Sequence, residues 1–303
     1  MSAPAAPAPP RIGPYAVGGL LAEGGMAAVY RAAAPDGTPV ALKVSRYAET
    51  DTRYGSALRN EADLLSRLDH PNVVRVLPIP VEARLPVYAA RAARLPGSPW
   101  YYAMPFLAGG VLSEIVGGRR VLPLDVAAAV GYQIGRGLLH LHALGYAHLD
   151  VKPENILFRT PLGRGALVHP VLVDFGVAVQ GTDRLDGVGG TLLTMAPERI
   201  DPPPGGAPVD ASRLDSYALG VTLYRIVTGQ YPFIGTTRAA LISSIQHSRI
   251  IPAAELRAGV PPLLSAVITG CLARQPGQRL TLADAVMALQ AVPNRITRMT
   301  TGL

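Results

Sequence analysis

The stretch from His148 to Phe158 reads HLDVKPENILF, and it places an acid, a base and an amide between apolar residues. Asp150, Lys152 and Asn155 stand close together in it. Polar side chains that interrupt an apolar run in this way usually share a ligand or a reaction, because burying them without partners is costly. The stretch is therefore the first candidate for a functional site.

These side chains, together with Asp174 in VDFG, have the chemistry that phosphoryl transfer needs. Asn155 and Asp174 offer an amide oxygen and a carboxylate, which are hard ligands suited to Mg²⁺. Lys152 can stabilise the charge of a transferring phosphoryl group, and Asp150 can accept the proton of a hydroxyl. For Asp174 alone, a strand-ending turn is an alternative interpretation.

Residues 12–46 alternate short apolar runs with glycines, which predicts a β-meander that begins with a glycine-rich hairpin. Backbone N–H groups of such a hairpin can approach phosphates closely. Lys43 lies in the predicted strand VALKV, and Glu61 lies on the apolar face of a helix predicted over 55–68. A carboxylate on that face needs a cationic partner. An ordinary flexible turn, a half-exposed lysine and a surface acid remain the simpler alternatives.

The second half of the chain is predicted to be mainly helical. Val126, Val130, Ile134 and Leu138 recur at helical spacing in a helix expected to end near Gly145. The run LDSYALGVTLYRIVTG is apolar almost all round, which predicts a central buried helix ended by Gly229. Residues 82–99 are predicted to be a long loop, with room for a short helical turn.

Composition excludes several classes of protein. The 303 residues are 49% hydrophobic and 16% charged, with a net charge of +7, which is typical of a globular chain with a solvated basic surface. No aromatic–basic interleaving indicates a nucleic-acid surface. The single cysteine, Cys271, excludes an internal disulfide and is expected to be a packed core thiol. No apolar run is long enough to span a bilayer, and the start MSAPAAPAPP is not a signal peptide, so a cytoplasmic protein is expected.

The order and spacing of these segments resemble a known family, the eukaryotic-type (Hanks-type) serine/threonine protein kinases of bacteria. The resemblance covers nearly all of the chain, from Ile12 to Val292, and is highly specific. It rests on LAEGGMAAVY, VALKV, Glu61, LDHPNVV, HLDVKPENIL, VDFG, GTLLTMAPE, DSYALGVTLYRIVTGQYPF and CLARQPGQRLT, which follow one another in the family's order.

The resemblance implies an α+β fold with two lobes, a β-rich N-lobe and a mainly helical C-lobe. The expected bounds are a disordered Pro/Ala tail over 1–11, a kinase domain over 12–293 and a short tail over 294–303. Within the domain we expect an N-lobe over 12–104, a hinge over 105–110 and a C-lobe over 111–293.

The resemblance also assigns roles to the candidate residues. Lys43 is expected to contact the α- and β-phosphates of ATP and to be held by Glu61. Asp150 would orient the substrate hydroxyl and accept its proton, while Lys152 steadies the γ-phosphate. Asn155 and Asp174 would hold Mg²⁺, or Mn²⁺ in its place.

Further roles follow from the same resemblance. Thr191 would bond to the catalytic Asp and Lys and mark Ser/Thr specificity. The remaining residues expected to contact the nucleotide are Leu21, Ala22, Glu23, Gly24, Gly25, Met26, Val29, Ala41, Met104, Pro105, Leu107 and Leu157. Structural roles are implied for Leu65, Phe175 and His148 in an apolar spine, for a Glu198–Arg279 pair, and for Asp215 as the anchor of the catalytic loop.

The chain departs from the family's pattern at several positions. Ala22 and Ala27 replace loop glycines, which is tolerable if φ stays negative. Pro105 has no N–H, so adenine contacts are expected from its carbonyl and from the N–H of Leu107. Leu149 stands where relatives often carry an arginine that binds a loop phosphate. We therefore predict activity that does not depend on phosphorylation of Thr182, Thr191 or Thr194.

The function that follows is transfer of the ATP γ-phosphate to Ser or Thr of a protein substrate, with autophosphorylation possible. We expect no nucleic-acid partner and no membrane span. Two alternatives remain at this point: a pseudokinase that binds ATP and acts as a scaffold, motivated by Ala22 and Ala27, and a small-molecule phosphotransferase of the aminoglycoside-kinase type, which shares the His-x-Asp-x4-Asn run.

Overall fold

The computed structural model describes residues 11–48, 50–51, 54–163, 167–180, 189–202 and 210–292. The chain divides into two compact units. The first extends to Asp69 and resumes over Val74–Phe106, and the second comprises His70–Val73 and the chain from Leu107 onward. The first unit is built mainly of strands and the second mainly of helices, as expected of the α+β kinase fold. The predicted tail over 294–303 lies outside the described residues.

The first unit contains an antiparallel six-stranded sheet in the order β1-β2-β3-β4-β6-β5. A turn over residues 35–38 joins β3 to β4, and Gly37 adopts φ +85° there, which favours glycine. Arg11 was predicted to belong to the tail but pairs with Ala16 in the first strand. The strands are β1 (Arg11–Ile12), β2 (Tyr15–Glu23), β3 (Ala27–Ala33), β4 (Pro39–Ser45), β5 (Ala90–Arg91) and β6 (Trp100–Pro105).

The helix of the first unit is α1 (Ala57–Leu65), and it packs against β6. Its buried face consists of Leu58, Glu61, Ala62, Leu64 and Leu65. The prediction from periodicity placed Glu61 on this face, and the structure buries it there. Burial of the carboxylate among apolar side chains therefore has to be compensated by a specific partner.

The stretch over 82–99 differs from the loop with a possible helical turn that we predicted. Ala90 and Arg91 form the edge strand β5, which pairs with Tyr101 and Trp100. Ala92 is buried in the core of the first unit. The alanine-rich run favours a helix by local propensity, but pairing with β6 and burial against the sheet override that preference.

The second unit is organised around α5, whose side chains are buried along almost its whole length. The helix begins after Asp210, whose carboxylate accepts from the N–H of Ser212, and ends at Gly229 with φ +79°. The helices of the second unit are α2 (Leu112–Ile115), α3 (Leu124–Ala143), α4 (Pro197–Ile200), α5 (Ala211–Thr228), α6 (Arg238–His247), α7 (Ala253–Leu256), α8 (Pro262–Cys271) and α9 (Leu282–Ala291). Two strand pairs accompany them, β7 (Tyr146–Ala147) with β10 (Val179–Gln180), and β8 (Ile156–Phe158) with β9 (Pro170–Leu172).

Glycines allow α3 to pack closely on its neighbours. A Cβ added to Gly131 would lie 2.7 Å from Leu223 of α5, and one added to Gly135 would lie 2.5 Å from Val286 of α9. Cys271 is buried as predicted, and burial raises the pKa of its thiol to about 11. Within the part of the chain that the structure describes, every helix is too short or too polar to cross a bilayer.

Candidate active site

Lys43 and Glu61 form a buried ion pair in the first unit. The Lys43 Nζ atom donates to both carboxylate oxygens of Glu61, at 2.6 and 2.8 Å. The two side chains are 8% and 4% exposed, so the pair is desolvated on both sides. The hydroxyl of Tyr102 donates to the same Oε1 atom of Glu61 at 3.1 Å. Sequence reasoning missed Tyr102, because nothing in the run WYYAMP distinguishes one tyrosine from the next.

Strand register explains why these side chains meet. Lys43 of β4 lies opposite Val29 of β3 and opposite Tyr102 of β6. Directly opposite residues of an antiparallel pair point to the same face, and so do residues two apart along one strand. Ala41, two residues before Lys43, lies opposite Met104. The sheet therefore presents these predicted nucleotide residues on one face.

The glycine-rich hairpin is formed by β2 and β3, with Gly24, Gly25 and Met26 between the strands. Ala22 pairs with Val29 in β2–β3, and Ala27 pairs with Ser45 in β3–β4. Neither alanine adopts positive φ. The condition that we set for tolerating the two methyl groups is therefore met, and the hairpin contains no strain at these positions.

Arg46 holds the tip of this hairpin. Its backbone N–H donates to Met26 O at 3.0 Å, and its Nη1 atom donates to Gly24 O at 3.1 Å. An ion pair with Glu23 at 3.2 Å is about half exposed, so it adds at most about 1 kcal/mol. The residues around the tip, Leu21, Ala22, Glu23, Gly24 and Gly25, are exposed, and the N–H of Gly24 donates to Ala27 O at 2.9 Å.

Three other predicted nucleotide residues are Pro105, Leu107 and Leu157. Pro105 is the last residue of β6 and lies opposite Val40, where its missing N–H leaves the pairing intact at the strand end. Leu107 is the first residue of the second unit's main segment. Leu157 is the central residue of β8 and is half-buried.

Asp150 is the centre of a hydrogen-bond network in the second unit. Its Oδ2 atom accepts from Lys152 Nζ at 2.7 Å and from Asn155 Nδ2 at 3.1 Å. Its Oδ1 atom accepts from the backbone N–H of Thr191 at 3.0 Å. Lys152 Nζ also donates to the Thr191 hydroxyl at 2.7 Å. The structure thus brings together the four residues that the sequence predicted to be catalytic, and Thr191 reaches Asp150 through its backbone rather than its hydroxyl.

Asn155 and Asp174 provide oxygens that fit a hard cation. The Asn155 amide nitrogen donates to the backbone and to the carboxylate of Asp150, so Oδ1 is the atom left to bind a metal. Asp174 is exposed, with φ +63°. The N–H of the preceding residue, Val173, donates to Asn155 O at 2.9 Å, which links the two segments. A carboxylate and an amide oxygen match Mg²⁺ in phosphate sites, where phosphates and water complete the coordination.

Asp215 of α5 holds the start of the catalytic loop. Its carboxylate accepts from the N–H groups of His148 and Leu149, both at 2.8 Å, and lies 2.8 Å from His142 Nε2. Burial alone would raise the pKa of Asp215, but the contacts with His142 and His148 hold the pKa below its ordinary value. Burial lowers the pKa of His148, whose ring packs edge-on against Phe175 at 4.6 Å between centroids.

A second ion pair supports the segment that follows Thr191. Arg279 is 2% exposed and donates two parallel hydrogen bonds to Glu198, at 2.7 and 2.9 Å. Arg279 also donates to the carbonyls of Ala273, Arg213 and Arg274. Because Nε, Nη1 and Nη2 of the guanidinium all donate hydrogen bonds, Glu198 and the residues next to it are held in place within the second unit.

Comparison with protein families matches residues 15–290 to the protein kinase domain. The chain belongs to this family. The match spans both units described above, and it covers the segments on which the sequence resemblance rested.

Similar curated proteins carry serine/threonine kinase names. The chain is 31% identical to serine/threonine-protein kinase PkaB of Streptomyces coelicolor over 89% of its length and 61% of that protein. It is 33% identical to the DNA damage-responsive serine/threonine-protein kinase RqkA of Deinococcus radiodurans, over 93% of this chain and 40% of that one. It is 32% identical to PknE of Mycobacterium bovis, over 93% of this chain and 46% of that one. The kinase domain is therefore of the bacterial Hanks type, and the chain spans less than two thirds of each of these relatives.

Proposed function

We propose that this protein is an ATP-dependent kinase that transfers the γ-phosphate to serine or threonine of a protein substrate. The observation that carries the proposal is the network in which Asp150 contacts Lys152, Asn155 and Thr191 at hydrogen-bond distance. A carboxylate held by a lysine and an amide, beside the threonine of GTLLTMAPE, is the arrangement that phosphoryl transfer to a hydroxyl requires. The serine/threonine kinase names of the relatives support the same activity.

In the proposed reaction, the substrate hydroxyl attacks the γ-phosphorus while its proton passes to Asp150, and ADP leaves as the bond to the β-phosphate oxygen breaks. Lys152 stabilises the charge on the transferring group. Lys43 orients the α- and β-phosphates, and Glu61 keeps the lysine extended. A bound Mg²⁺, or Mn²⁺, would neutralise phosphate charge, and Asn155 Oδ1 and the Asp174 carboxylate are the residues that would hold it.

The structure gives no support to a pseudokinase. That alternative was motivated by Ala22 and Ala27, and both residues lie in paired strands without positive φ. The polar residues expected to act on ATP and on the hydroxyl are all present. We further propose an N-lobe that ends at residue 104, a hinge over 105–110 and a C-lobe over 111–293, with Arg11 included in the N-lobe because it pairs in β1. We also propose a cytoplasmic location, where ATP is available and the unpaired Cys271 thiol stays reduced.

The test is turnover by the purified chain with Mg·ATP and dephosphorylated casein, followed by intact-mass measurement of both proteins. We expect phosphate on casein, and the masses also report autophosphorylation. Asp150→Asn should lower kcat by about 100-fold or more because it removes the proton acceptor. Lys43→Met should raise the KM for ATP. Equal turnover by Asp150→Asn and the unmodified protein would refute the assignment.

The same assay separates the alternatives. A thermal shift with Mg·ATP but no phosphate on any protein would indicate a pseudokinase. Phosphorylation of an aminoglycoside, with none on casein or on the chain itself, would indicate a small-molecule phosphotransferase. Replacement of Mg²⁺ by Mn²⁺ in parallel reactions identifies the cation that the site prefers.

A further inference from the structure

Leu149 occupies a strained position beside the catalytic acid. Its φ is +65°, a left-handed conformation that a leucine rarely adopts. Its N–H donates to Asp215 Oδ1 at 2.8 Å, and its carbonyl accepts from Arg199 Nη1 at 2.9 Å. Both backbone polar groups are thus held by charged side chains, which explains how the conformation is maintained.

Arg199, in the short helix α4, also reaches the segment that leads to Thr191. Its Nη2 atom donates to the carbonyl of Gly189. The next residue, Gly190, has φ +138°, and a Cβ added there would lie 2.9 Å from Arg199 Nη1. The missing side chain at Gly190 therefore leaves the space that the guanidinium occupies.

The two carbonyls that Arg199 binds belong to the two segments that meet at the catalytic acid. Leu149 directly precedes Asp150, and Gly189 lies two residues before Thr191. Thr191 contacts Asp150 through its N–H and Lys152 through its hydroxyl. A guanidinium suits this position because its planar fork presents several N–H donors at fixed angles, whereas an ammonium is a single point charge.

We propose that Arg199 is a positioning residue that holds Thr191 against Asp150 and Lys152, so that this segment is ordered without a bound phosphate. The proposal deepens the proposed kinase function and rests on it. In this proposal Arg199 of α4 orders the segment that contains Thr191, a role that Leu149 cannot perform because its side chain carries no charge.

In the described part of the segment, the hydroxyls of Thr191 and Thr194 both take part in hydrogen bonds, as expected of a segment that is ordered without phosphate. The Thr191 hydroxyl accepts from Lys152, and Thr194 is 4% exposed with its hydroxyl 3.3 Å from Thr191 O. In this conformation neither is presented for phosphorylation. Thr182 lies outside the described residues.

Burial lowers the pKa of Arg199 and the charges of Asp150 and Asp215 oppose that effect, but an arginine remains protonated in proteins.

The first variant to test is Arg199→Gln. The protein is treated with phosphatase, and its intact mass verifies that no phosphate remains. We expect kcat on casein to fall about tenfold, the effect of losing roughly one charge-assisted hydrogen bond, with the KM for ATP unchanged. Arg199→Lys should be intermediate, because an ammonium can reach one of the two carbonyls. The matched control is Arg257→Gln, which also removes hydrogen bonds to two backbone carbonyls, those of Leu122 and Val227. It should lower Tm and leave kcat per folded molecule unchanged.

A double-mutant comparison separates positioning from a general loss of structure. Thr191→Val removes the hydroxyl contact with Lys152 and keeps the N–H contact with Asp150. If Arg199 acts through Thr191, Arg199→Gln should therefore lower kcat by a smaller factor, about threefold, when Thr191→Val is already present, since coupled residues are not additive. The same fold reduction in both backgrounds would overturn the proposal.

The dependence of kcat on phosphorylation is the second test of the proposal. The phosphate-free protein should keep its full kcat, and Thr182→Ala should not change it. A loss of more than about tenfold on dephosphorylation, restored by phosphate only when Arg199 is present, would make Arg199 a phosphate ligand and overturn the proposal. The kinase assignment is judged separately, by the unmodified protein against Asp150→Asn in the same assay.

Discussion

At the residue scale, Tyr102 shows how a single buried hydroxyl supports Lys43, the lysine that we propose to bind phosphates. Its ring is fully buried on the face of β6 that α1 covers, and its hydroxyl donates to Glu61 beside Lys43. A carboxylate that lacks water needs more than one donor, and Tyr102 supplies the second. The group consists of three side chains, Lys43, Glu61 and Tyr102, and only Lys43 and Glu61 belong to recognisable motifs.

Tyr102→Phe removes this donor and leaves the Lys43–Glu61 pair in place. We expect the KM for ATP to rise about threefold to tenfold, in line with a hydrogen bond to a charged group, with a smaller change in kcat. The matched control is Tyr101→Phe, because the adjacent ring packs edge-on against Tyr15 at 6.3 Å on the other face of the strand. Steady-state kinetics over ATP concentration measures both. Equal KM changes for the two variants would contradict the role of Tyr102.

Cys271 allows a test of the core of the second unit. Its thiol is buried, and the Ser216 hydroxyl lies 3.7 Å from its sulfur. Because burial raises its pKa to about 11, the thiol is neutral at pH 8, and the thiolate is the reactive form. Native protein should therefore not react with a chromogenic disulfide reagent at pH 8, while protein in urea should react fully. Labelling of the native protein at the rate of a free thiol would contradict this burial.

The sign of the linkage for Cys271 also follows from its raised pKa. The folded state keeps the proton to a higher pH than the unfolded state does. The contribution of the neutral thiol to stability is present below the unfolded pKa, near 8.5, and is lost as the pH rises toward the folded value.

At the element scale, α5 is both the centre of the second unit and the support of the catalytic loop. Its hydrophobic pattern predicted a buried helix ended by Gly229, and the structure confirms both features. Asp215 is a buried acid within it, at 0% exposure. Its carboxylate compensates for burial by accepting from the loop that contains Leu149, so the helix and the catalytic loop are joined through one side chain.

Asp215→Asn replaces one acceptor oxygen with a donor and should leave either the N–H of His148 or that of Leu149 without its partner. We expect the free energy of unfolding to fall by about 2–4 kcal/mol at pH 7, because a buried charged hydrogen bond is broken. Urea denaturation followed by tryptophan fluorescence or circular dichroism measures the change. A difference below about 0.5 kcal/mol would show that Asp215 does not hold the loop.

The pH dependence of this difference has a definite sign. The pKa of Asp215 is lower in the folded state than in the unfolded state, despite the burial that opposes this shift. Its contribution is therefore complete above the unfolded pKa, near 4, and is lost as the pH falls through the folded value. The stability difference between the two proteins should be constant from pH 7 to about pH 5 and should shrink in more acidic solution.

At the scale of the whole molecule, the packing of α3 on α5 and α9 indicates which part of the chain is needed for folding. The glycines of α3 allow Leu223, Val286 and Leu289 to approach its backbone. A fragment of residues 11–293 keeps these contacts, and we expect it to fold and to transfer phosphate with kcat/KM close to that of the full chain. A fragment that ends at residue 281 lacks α9 and should fail to fold, because it exposes the apolar face of α3. Failure of the longer fragment would contradict the proposed bounds.

The chain by itself determined the family, the order of the segments and the residues around Asp150, because these lie in short motifs whose chemistry is readable without a fold. Asp150, Lys152 and Asn155 are neighbours in sequence, and the helical pattern of α5 is local as well. The edge strand β5 could not be read this way, since its alanines favour a helix until β6 offers a partner.

Only the tertiary structure decided the contacts of Tyr102 and Arg199. Tyr102 meets Glu61 across 41 residues, and Arg199 meets Leu149 across 50. Neither residue stands out in its own segment, because a tyrosine in a strand and an arginine in a short helix are compatible with many environments. Their roles arise from chain segments that are distant in sequence and that packing of the core brings together. The sequence showed that Leu149 cannot bind a phosphate, and the fold placed Arg199 against its carbonyl.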